Sequence, residues 1–260
     1  MDYDKKLEIS KEREQLVVKA NEMVRKARYQ LSLQELKVMQ YCFSKIKPTD
    51  TKDTEYIFSV KDFCMVCGIE YQSGKNYDDV KRVLKGLRDK SMWIMQDDGS
   101  ESTVGWLGKV NINKGSGKVK VKFDEDMSKY INGLLNNYTQ FTFLNILPMK
   151  SAYSVRMYEM LKSYAFTGNH KFKTEELKRL LMCEHYDKFG NFRQKVLEPA
   201  TKEINKYTDI KISWEPVKSG VTITEVIFHI AEKSPIEKAM ATDDAYEEIE
   251  GQLNLEDYYK

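Results

Sequence analysis

The sequence predicts an α+β fold of two tandem winged-helix domains, because one pattern of elements occurs twice, about 114 residues apart. Residues 56–94 and 171–212 each have the pattern of a short strand, a short helix, a gap, a longer basic helix and a further strand. The matching positions are Phe58 with Phe172, Val60 with Thr174, Cys64 with Lys178, Cys67 with Leu181 and, after a slip of one residue, Tyr77 with Phe192. A helix pair followed by a strand hairpin is typical of the winged helix, whose second helix enters the major groove of DNA. Two copies therefore predict contacts with two successive segments of a duplex.

The length of the chain and its distribution of charge fit this prediction. A chain of 260 residues is long enough for two domains that each bury a core. The net charge is +2, but nine acidic residues and three lysines at positions 232–260 leave the rest of the chain at +8. A moderately basic body suits a protein that binds phosphates. We therefore expect domains at residues 15–135 and 139–231, followed by an acidic, disordered tail at 232–260.

Several other classes of protein are disfavoured. No segment approaches the roughly 20 apolar residues that a membrane-spanning helix needs, and the N-terminus lacks an apolar secretion signal. Four cysteines in so long a chain fit a reducing compartment, so we expect a cytoplasmic protein.

Neither a metal, a cofactor nor an enzymatic activity is predicted. Cys64 and Cys67 form one CxxC pair that has no second pair of ligands at zinc-binding spacing, so we expect buried thiols. The turn at 115–118 lacks the spacing and the following helix of an ATP-binding loop. The three histidines stand alone, which disfavours a metal-dependent nickase.

In the first unit, residues 1–15 are expected to be frayed and residues 17–39 to form one helix, with Ser32 as a candidate N-cap. Apolar spacing predicts a longer helix at 77–90. The predicted DNA contacts of this unit are Lys75, Arg82 and Lys85 on the polar side of that helix, and Lys114 and Lys118 in a lysine-rich hairpin region that would form a wing.

In the second unit, a helix at 191–207 buries one apolar stripe and presents polar side chains on its other side. Asn, Gln and Lys are among the side chains that read base edges in the major groove. Pro199 cannot donate a backbone hydrogen bond, so it is expected to bend this helix or to restart it. The predicted DNA contacts are Asn191, Gln194, Lys195 and Lys202, with Arg193 in the first turn and Lys218 at the tip of the following wing.

A longer residue pattern runs through both units. Its members are Leu33, Leu36 and Met39, then Val155, Arg156, Met157 and Tyr158, then Phe192, Val196, Leu197, Pro199, Ala200 and Ile204, and finally Ile227, Phe228, His229 and Ile230. Over about residues 15–231 the chain resembles the plasmid replication initiators of the Rep_3 family.

The resemblance implies two winged-helix domains that bind double-stranded DNA at short direct repeats (iterons) of a plasmid origin. The second domain would give the main readout, and the first would add backbone contacts and part of a dimer surface. It further implies monomers that recruit the host replication initiator and helicase, in equilibrium with a homodimer that represses its own gene through an operator inverted repeat. Three alternatives stay open: a winged-helix transcriptional regulator with no replication role, a nickase-type enzyme and an architectural protein.

Overall fold

A computed structural model describes the backbone of residues 3–258 and the side chains of residues 3–72 and 74–251. Its first part contains, in chain order, α1 (Tyr3–Arg13), β1 (Leu16–Ala20), α2 (Asn21–Lys26), β2 (Ala27–Arg28), α3 (Leu33–Ser44), β3 (Tyr56–Ser59), α4 (Val60–Val66), α5 (Ser73–Asp89), β4 (Ser91–Met95), β5 (Glu101–Gly105), β6 (Leu107–Ile112), β7 (Lys118–Phe123) and α6 (Ser128–Ile131). Its second part contains β8 (Tyr138–Thr142), α7 (Ala152–Ser163), β9 (Asn169–Lys173), α8 (Thr174–Leu180), α9 (Phe189–Phe192), α10 (Glu198–Tyr207), β10 (Ile210–Ser219), β11 (Thr222–Glu232) and α11 (Pro235–Tyr258).

The predicted duplication is confirmed by the element boundaries. Helices α4 and α8 begin at Val60 and Thr174 and have the same length, so the offset of about 114 residues holds at both of their ends. The matched aromatic residues Phe58 and Phe172 are both buried. Each of these helices is followed by a turn and then by the longer helical segment of its unit.

The N-terminal residues that were expected to be frayed form α1 instead. Ile9 and Arg13 are buried on its inner side. The Arg13 Nε donates to the Val66 carbonyl oxygen at 2.8 Å, which ties α1 to α4. The many charged residues of this segment predicted exposure, and most of them are exposed. Arg13 is the exception, because it is buried and attaches the helix to α4.

The single helix predicted at residues 17–39 is also wrong. The segment forms β1, α2, β2 and the first half of α3, and Ser32 caps α3 as predicted. In β1 the buried positions are Val17 and Lys19. A lysine that points inward breaks the apolar–polar alternation by which a strand is recognised in a sequence.

The hairpin region of the first unit, which was predicted as one region, divides between two sheets. The hairpin β4–β5 pairs with β2, whereas β6–β7 pairs with β3 in the order β3–β7–β6. In the second unit β10–β11 pairs with β9, the counterpart of β3. The wing equivalent to β10–β11 is therefore β6–β7, and β4–β5 is an inserted hairpin.

The two units share one core. The predicted boundary at 135–139 overlaps the start of β8, and β8 pairs with β1 along its whole length. Helix α7 then packs against α2 and α3 on one side and against α10 on the other. Within this contact Lys19 and Arg156 both donate to the carboxylate of Glu159, and all three side chains are buried.

The tail that was expected to be disordered forms α11. Ser234 and Glu237 make reciprocal capping contacts at its start, with the Glu237 amide 3.3 Å from the Ser234 Oγ. The buried positions Ala241, Ala245 and Ile249 recur every four residues and lie on one side of the helix. Acidic composition predicted disorder, but this narrow apolar stripe is enough to dock the helix on the body.

Candidate nucleic-acid interface

The second long helix runs without interruption from α9 to α10, through a π-helical turn at Arg193–Leu197. The Glu198 amide donates to the Arg193 carbonyl, five residues back. This wider turn places Pro199, which lacks an amide proton, at the start of the following α-helical segment. The α-helix thus starts afresh at Glu198 after a first turn, and a wider π-helical turn joins the two parts without a break.

The side chains of this continuous helix divide as the sequence predicted. Phe192, Val196 and Ile204 are fully buried. The exposed residues include Asn191, Arg193, Gln194, Lys195 and Lys202. Helical periodicity had put Arg193 near the apolar side, but the π-helical turn leaves it on the surface.

Four of these polar side chains are free to meet a ligand. Among the described residues, Asn191, Gln194, Lys195 and Lys202 make no side-chain hydrogen bond or ion pair with the rest of the protein. Arg193 differs, because its Nε lies 3.3 Å from Glu198 Oε1. The helix thus presents unpaired donors in its first turns and again about two turns further on, at Lys202.

Asn205, which the sequence places at the edge of this polar side, has a structural role. Its Nδ2 donates to the Ile212 carbonyl at 2.9 Å, and its Oδ1 accepts from the Ile212 amide at 2.6 Å. This pair of bonds fixes the end of α10 against β10. The helix and its wing are consequently held together as one unit.

On α5, the corresponding helix of the first unit, two of the predicted contacts are already paired with acidic side chains. Lys75, Arg82 and Lys85 are all exposed as predicted. Arg82 pairs with Asp79 at 3.0 Å, and Lys85 pairs with Asp89. Exposed pairs of this kind are weak and easily exchanged for a phosphate. Two of the three predicted contacts on α5 are therefore paired with acids of their own helix, whereas the predicted lysines of the second helix are not.

The basic surface of the first wing extends beyond its tip, along β7. Lys114 and Lys118 are exposed at the turn between β6 and β7, where the Asn113 Oδ1 accepts from the Ser116 amide at 2.9 Å. Only these two lysines were predicted as contacts of this wing, but Lys120 lies on the same exposed side of β7. The alternation of lysine and valine from 118 to 122 is the signal that identifies it.

The second wing extends beyond its sheet. Strand β9 pairs only with Glu225–His229 of β11, so the outer part of the β10–β11 hairpin is a two-stranded ribbon. Lys218 is exposed next to a bulge at the end of this ribbon. Val221, at the tip, is fully exposed. A ribbon of this shape can reach the DNA backbone beside a helix that occupies the major groove.

The remaining residues with possible chemistry are separated or buried. Burial raises the pKa of both the Cys64 and the Cys67 thiols to about 12, so neither is a reactive thiolate at neutral pH. Within the described part of the chain, no three His, Cys, Asp or Glu side chains are grouped to hold a metal ion. No helix among these residues is long and apolar enough to span a membrane.

Two copies of a helix pair with a strand wing, the second with a row of unpaired polar side chains, define a tandem winged-helix protein. The family described as "Initiator Replication protein, WH1" matches residues 16–162, and that described as "Initiator Rep protein, WH2" matches residues 173–230. The chain belongs to this family of replication initiators with DNA-binding winged-helix domains. Both the predicted fold class and the predicted family are confirmed. The first match extends well past the boundary predicted at 135–139.

The chain is also similar to individual proteins. A "Replication initiation protein" of Escherichia coli is 25% identical over 229 residues, which are 84% of this chain and 70% of that protein. An "Uncharacterized 27.6 kDa protein" of Escherichia coli is 23% identical over 230 residues, which are 81% of this chain and 93% of that protein. The solved structure described as "Crystal structure of Pi initiator protein in complex with iteron DNA" has a TM-score of 0.71 at 18% identity, covering 85% of this chain and 99% of that chain. That similarity shows the fold.

Proposed function

We propose that this protein initiates plasmid replication by binding iteron repeats of its origin in a sequence-specific manner. The observation that carries the proposal is the helix α9–α10, where Asn191, Gln194, Lys195 and Lys202 are exposed and have no internal partner. In a winged helix this is the side that faces base edges. The similar Pi initiator was crystallised with iteron DNA, which supports the same class of ligand here.

The two units contribute differently in this proposal. The second unit reads bases through α9–α10, and Arg193 and Lys218 anchor the flanking phosphates. The first unit adds backbone contacts through Lys75, Arg82 and Lys85 on α5, and Lys114 and Lys118 on its wing. Because Arg82 and Lys85 already pair with acids of their own helix, their exchange onto phosphates stabilises the complex less than contacts from unpaired lysines do.

Further partners are part of the proposal on the strength of family membership. Bound monomers recruit the host replication initiator and helicase to the opened origin in the cytoplasm. A homodimer in equilibrium with the monomer represses the gene through an inverted repeat. A transcriptional regulator of the same fold would bind DNA without supporting replication, so the maintenance of a plasmid that carries only this gene and its flanking repeats separates the two functions.

The binding experiment starts with footprinting on the DNA that flanks the gene. Affinities of the Lys195→Ala variant are then measured for a protected repeat and for a scrambled duplex across a salt series. If Lys195 reads a base, we expect a loss of about 1–3 kcal/mol on the repeat and little change on the scrambled duplex. Lys52, exposed in the loop between α3 and β3, is the matched control, because Lys52→Ala removes the same charge outside both wings, both long helices and both terminal helices.

Two outcomes would count against this proposal. Equal affinity of the wild-type protein for the repeat and for the scrambled duplex at moderate salt would indicate an architectural protein. Cleavage of supercoiled origin DNA with a covalent tyrosyl product would indicate a nickase. Uniform weakening by Lys195→Ala, with a salt slope lower by about one, would reassign that residue to a phosphate contact.

A further inference from the structure

The helices α1 and α11 lie outside the residues that match the family, yet they pack on each other. The hydroxyl groups of Ser10 and Tyr246 are 2.8 Å apart. The guanidinium of Arg13 lies over the Tyr246 ring, 5.5 Å from its centroid. Arg13 also donates to the carbonyls of Met65 and Val66 at the end of α4. The two terminal helices are therefore one structural element.

On the first unit, this element contacts the turn between α4 and α5. Gly68, in the left-handed region with φ of 68°, ends α4 and approaches Ile249 of α11 closely. A Cβ atom added to Gly68 would lie 2.3 Å from the Ile249 Cγ2. Ile249 itself is fully buried. The helix α11 thus rests on the turn that positions the long helix of the first unit.

On the second unit, the same helix contacts the end of α10. The Tyr207 hydroxyl donates to Glu248 Oε2 at 2.9 Å, and Lys150 Nζ lies 2.6 Å from Glu248 Oε1. Lys206 Nζ is 3.9 Å from the same carboxylate. One glutamate of α11 therefore binds the C-terminal end of the helix that carries the proposed base-reading residues.

We propose that α1 and α11 form a clasp that fixes the position of α5 relative to α10 and so sets the spacing of DNA contacts that the protein accepts. The clasp is a bridge because its two sides, at Gly68 and at Tyr207, belong to different winged helices. Its apolar contact is narrow, with only Ala241, Ala245 and Ile249 fully or nearly buried on α11 among the described residues. A helix held by so small a contact opens at a lower free energy than the core does. The part of the proposal that concerns spacing rests on the proposed DNA function; the part that concerns the bridge does not.

The first test is made without DNA, on the full chain with Ile249→Asp. Burial of a carboxylate at this position should release α11, so that the amides of α11 and of the α4–α5 turn exchange hydrogen at least about tenfold faster, with α7 unchanged. Glu247→Gln, on the exposed side of α11, is the matched control and should leave the exchange as in the wild type. If Ile249→Asp does not fold, Glu248→Gln, which removes the charge bound by Tyr207 and Lys150, takes its place.

The second test measures the bridge. Spin labels on Lys81→Cys in α5 and Glu176→Cys in α8 report the distance between the units, because both positions are exposed and all four native cysteines are buried. We expect a narrow distance distribution in the wild type and a broader one after Ile249→Asp.

The third test compares affinities for origin DNA with one to five extra base pairs between the footprints of the two units. The Ile249→Asp variant should lose the preference for the native spacing.

The outcomes separate this inference from the proposed function. Continued protection of α11 in the released variant, or an unchanged distance distribution after its protection is lost, would overturn the bridge. An unchanged spacing preference in a variant whose distances have broadened would overturn the role in DNA spacing. Failure of the wild-type protein to prefer repeat DNA would instead overturn the proposed function and leave the distance measurement valid.

Discussion

The buried charge cluster between β1 and α7 gives a quantitative prediction. The Glu159 carboxylate is fully buried and accepts hydrogen bonds from Lys19, Arg156 and Gln40. Burial alone would raise its pKa, but the two cations hold the pKa of Glu159 below its usual value. In Glu159→Gln, both cations stay buried without a counter-charge. Removing one partner of a buried ion pair costs about 3–5 kcal/mol, which is a large share of the total of about 5–15 kcal/mol for a typical domain.

The assay is denaturant unfolding at neutral pH, followed by circular dichroism. The double variant Lys19→Met, Glu159→Gln removes one of the two uncompensated cations, while Arg156 keeps its bond to the Ala27 carbonyl at 3.1 Å. We therefore expect the double variant to be more stable than Glu159→Gln alone, with a coupling energy of about 1–3 kcal/mol. The reasoning would be refuted if Glu159→Gln lowered the free energy of unfolding by less than about 1 kcal/mol. Strictly additive effects of Lys19→Met and Glu159→Gln on that free energy would refute it as well.

Three further predictions follow from the geometry. Gly68→Ala should destabilise the protein by about 1–3 kcal/mol more than Gly133→Ala in thermal unfolding, because both glycines have positive φ but only Gly68 meets a neighbour, Ile249. Pro199→Ala should let the π-helical turn relax, so that repeat DNA binds at least about tenfold more weakly while stability is maintained or increased. The hydrogen bond from a lysine ammonium lowers the pKa of Glu248. The contact with Lys150 should stabilise the docked α11 fully above about pH 4.3, the usual pKa of glutamate, and less as pH falls through the lowered pKa, so that the hydrogen-exchange protection factor of α11 decreases.

Each of these has an opposing outcome. Equal losses of stability in Gly68→Ala and Gly133→Ala would show that α11 can move away from residue 68 without destabilising the protein. Unchanged DNA affinity after Pro199→Ala would show that the wider turn has no part in base reading. A protection factor of α11 that does not change between pH 3 and 6, with α7 as an internal reference, would show that the Glu248 carboxylate does not hold α11 in place.

The repeated helix pairs could be predicted because their determinants are local. Apolar residues at helical spacing and a glycine at the end of α4 are both visible in a short window. The strand β1 could not be predicted in this way, because its inward Lys19 is compatible with burial only when Glu159, far along the chain, supplies a carboxylate. Such a pair leaves no signal in the sequence around either residue.

The wings show a similar division between local and distant information. Glycine-containing segments at 97–100 and 114–117 have the composition of turns, and both join the strands of hairpins in the structure. Which hairpin is the wing depends on whether its strands pair with β2 or with β3, and turn residues carry no information on that choice. The exposed lysines were predictable because alternation along a strand determines which side each residue occupies.

The docking of α11 was missed for a compositional reason. Nine acidic residues in the tail dominate any average over the segment. The three small or apolar residues that contact the body occupy one position per turn, and the surface that receives them is assembled from both units. A side-chain stripe this narrow indicates a helix only when its partner surface is known.

The wider turn within α9–α10 has a consequence for comparing relatives residue by residue. One additional residue in a turn rotates everything before it by about a quarter of a revolution relative to a regular α-helix. A helical wheel drawn from Pro199 backwards therefore assigns Arg193 to the wrong side. To transfer DNA specificity between relatives by exchanging side chains, the residues before and after this turn must be aligned separately. In a relative without the proline, the same residue types would face different base pairs.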